Sequence, residues 1–301
     1  MSMHRPVMLE EVLAWLRPQA GGLYLDGTVG AGGHGRAILE ASGPDGRVIG
    51  LDRDAVAVAA ARETLSVFGD RALIVQAEYR EAAKVVRDAT ARRLDGALLD
   101  LGVSSMQLDQ AVRGFSFMAE GPLDMRMDQR EPRTAADLVN RLPEKELARV
   151  LFEYGEERYS RRIARAIIRR RETAPILTTL ALVDVLRGAV PPAYLYGRLH
   201  FATRTFQALR IAVNRELEDL GSSLRLVAGL LRPGGRFVVL SFHSLEDRIV
   251  KHTFRALASG EEAGFAVLTK RPLEPSEREC AENPRARSAK LRVIERGEEA
   301  A

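Results

Sequence analysis

Leu23-Tyr24-Leu25-Asp26-Gly27-Thr28-Val29-Gly30-Ala31-Gly32-Gly33-His34-Gly35 is the stretch on which the fold of this chain turns. A short apolar run ends in an acid, five glycines follow, and a helical pattern starts around Gly35 and runs to Ala41. That order reads as a strand, a turn and a helix. Glycines in such a turn let the amides at the helix N-terminus approach an anionic or polar ligand closely. The same grammar repeats outward. Arg47 to Leu51 is a strand ending in Asp52, Ala55 to Leu65 a helix, Ala72 to Gln76 a strand, and Gly96 to Leu99 a strand ending in Asp100. Strand and helix in strict alternation mean right-handed crossovers and a parallel sheet, an α/β class.

The alternation stops at about residue 108. Through residue 207 the pattern is helical only: a capping-box start at Thr134 with Asp137, a helix from Glu144 to Tyr154 behind Pro143, another from Arg158 to Arg171, and a cap at Thr178 or Thr179 before Pro191-Pro192. A long helix then carries Phe206, Leu209, Val213, Leu217 and Leu220 at three- and four-residue steps. After a helix from Leu224 to Leu231, Arg232-Pro233-Gly234-Gly235 turns into a strand from Arg236 to Phe242. Phe265 to Thr269 and Lys290 to Ile294 are two further strands. The expected organisation is a discontinuous catalytic domain, 1–107 with 208–301, interrupted by an inserted helical domain at 108–207.

Composition narrows the function. The chain has 301 residues, 46% hydrophobic and 29% charged, which fits a globular protein. No apolar run is long enough for a membrane span, and the N-terminus carries Glu10 and Glu11 without a signal-peptide pattern, so a cytoplasmic protein is expected. One cysteine, Cys280, excludes an intrachain disulfide or a multi-Cys metal site, and the scattered histidines never reach HxxxH spacing, so no metal is expected. The net charge of +4 has an address: residues 108–207 hold 17 Lys and Arg against 13 Asp and Glu, and the rest of the chain is balanced at 28 each. The helix from Arg158 to Arg171 carries arginines 158, 161, 162, 165, 169, 170 and 171 with no acid. Ile163, Ala164, Ile167 and Ile168 form its apolar stripe. A solvated face is the ordinary reading of a charge run, but like charges this dense need a counter-charge, which favours nucleic-acid phosphate.

Read literally, Gly30, Gly32 and Gly35 satisfy G-x-G-x-x-G, with Asp52 placed for a ribose, which is the pattern of a nicotinamide oxidoreductase. Asp26 argues against it, because a pyrophosphate there would meet like charge. Asp26, Asp52 and Asp100 at successive strand ends suit a ligand with cationic centres and hydroxyls instead, as S-adenosylmethionine has. His243, Ser244, Glu246 and Asp247 lack the G-x-S-x-G elbow of a hydrolase. Cys280, outside any Pro-Cys context, does not suit the cysteine nucleophile of cytosine-C5 methylation. A non-enzymatic RNA-binding module is the remaining alternative.

The chain resembles, over nearly its whole length, the MraW (RsmH) family of bacterial small-subunit ribosomal RNA cytosine-N4 methyltransferases. The resemblance rests on His4-Arg-Pro-Val-Met-Leu, the Asp26–Gly35 loop, Asp100-Leu-Gly-Val-Ser-Ser, Arg113-Gly-Phe-Ser-Phe, Pro122-Leu-Asp-Met-Arg-Met, Arg204-Thr-Phe-Gln-Ala-Leu-Arg, Ser241-Phe-His-Ser-Leu-Glu-Asp-Arg and Asn283-Pro-Arg-Ala-Arg-Ser-Ala-Lys-Leu-Arg. It implies a Rossmann-like seven-stranded methyltransferase sheet with an inserted all-helical domain. It also implies S-adenosylmethionine as methyl donor and a cytidine of 16S ribosomal RNA near the decoding centre as target, in free RNA or in the small subunit, and it leaves a homodimer open. The cofactor positions it implies are Gly32, Gly33, His34, Asp52, Tyr79 (where the family usually has Phe), Asp100 and Gln107. Asp100 is the first candidate to accept an amino proton, with Ser104 nearby and His243 bordering the base. The Asp/Asn/Ser-Pro-Pro-Tyr motif of many amino-methyltransferases is absent at that place. Arg158, Arg161, Arg162, Arg165 and Arg169 are the expected RNA contacts.

Overall fold

The computed structural model describes residues 6–259 and 264–298; His4 and Arg5 of the first motif lie outside the described residues. The chain divides into two compact units, residues 1–102 with 219–301 and residues 103–218. No helix among the described residues is long and apolar enough to cross a membrane.

The first unit is a seven-stranded sheet. Its strands are β1 (Leu23–Asp26), β2 (Arg47–Asp52), β3 (Ala72–Gln76), β4 (Leu94–Asp100), β5 (Leu231–Ser241), β6 (Phe265–Val267) and β7 (Lys290–Arg296), in the order β3-β2-β1-β4-β5-β7-β6. β1 to β5 run parallel, and β7 lies antiparallel between β5 and β6. All four residues of β1 are buried, as a strand covered on both faces requires. Strand order reverses between β1 and β4, the switch point at which open α/β sheets bind ligands beyond the strands' carboxyl ends. Asp26 and Asp100 end those two strands, Asp26 pairing with Leu98 two residues short of Asp100.

The expected β5 is extended at its start. Arg232 to Gly235, read as a turn ahead of the strand, is an irregularity inside it: Leu94 pairs with Leu231 and Gly96 with Arg236, and Gly234 takes φ 74°. β6 is shorter than expected and β7 runs on to Arg296.

The second unit is helical among its described residues apart from an isolated bridge between Pro122 and Thr178. Thr134 and Asp137 form the expected capping box, and Thr178 caps the helix Thr179–Ala189 by accepting from the Ala181 amide. Buried Leu147, Leu151, Ile163, Ile167, Leu182 and Leu209 belong to one apolar core. One long helix was expected through Leu220, and two form instead. Arg215, at φ 50°, closes the helix Thr203–Asn214 with its amide on the Ile211 carbonyl, and Leu220–Gly229 starts after Asp219 at φ 56°. Leu217 and Leu220 keep the apolar spacing across a left-handed break, and periodicity does not register such a residue.

Buried polar contacts hold this unit's loops. The Asn214 side chain accepts from the Met127 amide at 2.8 Å and donates to the Met125 carbonyl at 2.7 Å and the Arg210 carbonyl at 2.9 Å. Arg113 donates to the carbonyls of Arg126 and Met127, and Asp124 grips the Arg126 backbone and guanidinium. Gly114, at φ 71°, lies so close to the Pro122 carbonyl that a Cβ would collide with it. The Arg113-Gly and Pro122 to Met127 motifs therefore brace each other. Leaving such buried groups unpaired costs about 1–3 kcal/mol each.

Candidate active site

The glycine turn folds as its sequence requires. Gly30 and Gly32 take φ 53° and 88°, conformations that side chains rarely adopt, and Gly32 ends the turn as N-cap of the helix Gly33–Ala41. A Cβ on Gly33 would approach Pro6 Cγ to 2.6 Å, and one on Gly27 would collide with Leu99 and come within 3.3 Å of Tyr79 Cβ. Tyr79 opens the short turn after β3. Asp52 ties the loop down: its Oδ2 accepts from the Gly30 amide at 3.0 Å and its Oδ1 from the Asp54 amide at 2.9 Å. Burial raises the Asp52 carboxyl above the usual range, and the bonds from Asp54 and Gly30 pull it down.

Asp26 and Asp100 carry the unusual electrostatics. Asp26 is buried and accepts from the Thr28 amide through Oδ1, while its Oδ2 has no hydrogen-bond partner. The Gly35 backbone also comes near. Desolvation pushes the Asp26 carboxyl up to about 7, the Thr28 amide pulling it down, the Asp52 charge adding to the rise and the Gly35 amide, like that of Thr28, pulling it down. Asp100 has its backbone amide on Thr28 Oγ1 at 2.6 Å and an enclosed, unpartnered Oδ1. Desolvation, then the charges of Asp26 and Glu246, push its carboxyl up to about 8.

His34, expected in the loop, sits in the first turn of the helix and is only 7% exposed. Its Nε2 lies 3.0 Å from the Val7 carbonyl, which can only accept, so Nε2 carries the proton. Nδ1 is left facing Asp100 Oδ2 at 3.7 Å. His243 follows β5, with Nδ1 3.4 Å from the Glu246 amide and Nε2 3.1 Å from Glu246 Oε1; Glu246 Oε2 accepts from the Phe242 amide at 2.8 Å. The first unit thus brings Gly32, Gly33, His34, Asp52, Tyr79, Asp100 and His243 to the carboxyl ends of β1 to β5. Ser104 and Gln107 belong to the second unit, where each caps the other's backbone at the helix Ser105–Asp109.

Sequence reasoning missed Glu246 as a charge acting on Asp100. It lies in the Ser241–Arg248 stretch beside Asp247, and no local pattern separates the two. Asp247 is bound bidentately by Arg292, at 2.6 and 3.1 Å, and is structural. The Val7 carbonyl was also missed, since no local signal points to a backbone acceptor.

The arginine run sorts by contact. The helix is Ser160–Thr173, so Arg158 precedes it, with its guanidinium 4.9 Å from the rings of Tyr159 and Tyr194. Arg165 lies 3.6 Å from Glu144, Arg170 donates to the Ala174 carbonyl, and Arg171 closes the end of the helix Ala135–Arg141 by donating to the Val139 and Leu142 carbonyls. Arg161, Arg162 and Arg169 are exposed and make no ion pair among the described residues.

The raised carboxyls set a pH dependence. The folded protein keeps protons on Asp26 and Asp100 up to about 7 and 8, while an unfolded chain releases them near 3.8. Their contribution to stability is complete below the unfolded value and lost as pH rises through the folded values. Between pH 6 and 9 the ligand-free protein is expected to lose several degrees more of melting temperature than Asp100→Asn does, at roughly 2–4 °C per kcal/mol. Parallel pH–melting curves for the two proteins would remove the assignment.

Comparison with known proteins places the chain. A family model described as the MraW methylase family matches residues 1–297. A Ribosomal RNA small subunit methyltransferase H from Geobacter sulfurreducens is 54% identical, the match covering 97% of this chain and 98% of that protein. The proteins of that name from Pelobacter propionicus and Heliobacterium mobile are 53% and 50% identical over the same shares of both chains. By its glycine turn, its strand-end carboxylates and this match along nearly its full length, the chain belongs to the MraW methylase family.

Proposed function

We infer that the protein is an S-adenosylmethionine-dependent methyltransferase of small-subunit ribosomal RNA that methylates the N4 amino group of a cytidine. The observation that carries the reading is the pair of carboxylates, Asp26 buried and Asp100 partly exposed, each with one enclosed, unpartnered oxygen at the switch point beside the glycine turn. Family membership and the relatives' printed names support the RNA substrate, and the sequence motifs support cytidine N4. A substrate of this kind supports a cytoplasmic enzyme.

The residues present fit the cofactor. Unpaired carboxylate oxygens in an enclosed site call for cationic partners, and Gly30, at φ 53°, leaves open space in the turn, where a Cβ would meet a single contact, at 3.9 Å. Gly32, Gly33, His34, Asp52, Tyr79 and Asp100 would hold it. When bound, it supplies a methyl group on a positively charged sulfur.

The chain's own part in the reaction is positional and electrostatic. The cytosine N4 lone pair is delocalised into the ring and has to localise before it can attack. An acceptor that takes a hydrogen bond from the amino group promotes this, and Asp100 Oδ1 is enclosed and unpartnered. The N–C bond forms as the S–C bond breaks with its electron pair left on sulfur, and one proton leaves the nitrogen for Asp100 or water. A carboxyl near the operating pH both accepts and releases that proton readily. The charges of Asp26 and Glu246 bear on Asp100, and His34 Nδ1 lies 3.7 Å from its Oδ2.

The residues 103–218 serve as the RNA-recognition insert in this reading, with Arg161, Arg162 and Arg169 as phosphate contacts. The test is transfer from labelled S-adenosylmethionine to small-subunit RNA or small subunits, followed by nucleoside analysis. Label in N4-methylcytidine is expected; label only in another nucleoside, or none, would reject the reading. Replacing Arg161, Arg162 and Arg169 by Ala is expected to lower the slope of log affinity against log salt by about 2, at roughly 0.7 per phosphate on single strands. An unchanged slope would return those arginines to the solvated surface.

A further inference from the structure

The first unit is charge-balanced in sequence but not on its surface. The helix Ser244–Ser259 packs on β6 and β7, and between them lies a concavity of about 240 Å³. Lys251 and Arg255 line it from the helix, Lys270 and Thr269 from the chain after β6, and Phe254 and Arg292 are also in its wall. No acidic side chain among the described residues lines it. Asp247, on the same helix, is taken by Arg292 at 2.6 Å, with Lys290 at 3.8 Å. Lys251, Arg255 and Lys270 make no ion pair among the described residues, so three cationic heads from two elements converge on a concave site without a counter-charge. Buried Thr269 spends its oxygen on the Val293 amide at 2.8 Å, and its hydroxyl proton remains available to donate. Cations facing one concavity repel one another unless an anion sits among them.

We propose that this concavity binds backbone phosphodiester groups of the RNA substrate, a second RNA contact on the catalytic unit itself. The chemistry favours phosphate: Lys and Arg heads with a hydroxyl donor suit its oxygens, and the absence of acids excludes a cationic ligand. Position favours RNA over a free anion. Lys251 and Arg255 share one helix with Glu246, about 7.5 and 13.5 Å further along its axis at roughly 1.5 Å per residue, and the Glu246 charge acts on Asp100. A cytidine held at Asp100 in an RNA strand brings phosphates on both sides of it. The proposal rests on the reading of the protein as an RNA methyltransferase.

The test uses the full-length protein with Lys251, Arg255 and Lys270 replaced by Ala, beside a charge-keeping Lys251→Arg, Arg255→Lys, Lys270→Arg variant. Binding of small-subunit RNA is measured over a range of salt, with KM and kcat for methyl transfer and calorimetric affinity for S-adenosylmethionine. The expected result is a salt slope lower by about 2, RNA affinity down and KM up by about tenfold, and unchanged kcat and cofactor affinity, with the charge-keeping variant like wild type. Wild-type slope and KM in the Ala variant, with wild type methylating RNA normally, would overturn the phosphate site and leave the enzyme reading standing. Binding loss in the Ala variant of a protein that transfers no methyl to RNA would do the reverse. A wild type that neither binds nor methylates RNA would overturn both.

Discussion

Two strand-end carboxyl groups, each with one enclosed oxygen that no hydrogen bond satisfies, are the constraint around which the first unit is built. Asp26 and Asp100 end the adjacent strands β1 and β4, and each keeps one enclosed oxygen with nothing to bind. Each pKa unit of upward shift corresponds to about 1.4 kcal/mol against the charged form, so these groups are costly to the ligand-free fold. The surroundings maintain the arrangement instead of relieving it. Thr28 holds the Asp100 amide, Asp52 holds the glycine turn, and His34 is fixed through the Val7 carbonyl with Nδ1 3.7 Å from Asp100 Oδ2. Burial makes a binding site out of what would otherwise be a defect, because a cationic ligand there recovers the energy that desolvation cost.

The second unit follows a different logic. Several residues that stand out in its sequence turn out to be braces, although Arg113 Nε and Thr205 Oγ1 stay buried without a hydrogen-bond partner. Arg113, Asp124 and Asn214 tie loops to a helix, and Arg171 closes a helix end. Within the arginine run, Arg161, Arg162 and Arg169 are what these contacts leave for a partner. On the first unit, Lys251, Arg255 and Lys270 are left together around one concavity, although that part of the chain shows no excess of charge in sequence. Balance summed along a chain hides local imbalance on its surface.

Much of the fold was legible because it depends on local patterns. Apolar runs located β1 to β4, three of them ending in aspartate, and glycines marked the turn that needs positive φ. The bend at Arg215 and Asp219 was not legible, since an arginine or aspartate in the left-handed region carries no compositional signature and the apolar spacing continued through it. Asp26, Asp52 and Asp100 could be named as site candidates from their strand-end positions. That Asp26 and Asp100 are the strained pair while Asp52 is employed as a loop tether required the hydrogen bonds. Glu246 could not be separated from Asp247, because their difference lies in tertiary partners: Arg292 for one, the surroundings of Asp100 for the other.

The central claim is that Asp26 and Asp100 are held protonated near neutral pH until a cationic cofactor arrives. Calorimetric titration with S-adenosylmethionine at pH 7, in buffers of widely different ionisation enthalpy, measures this directly. The account predicts that binding releases about one proton, that affinity rises from pH 6 to pH 8, and that Asp100→Asn removes most of the release. A binding enthalpy independent of the buffer, or net proton uptake, would contradict it.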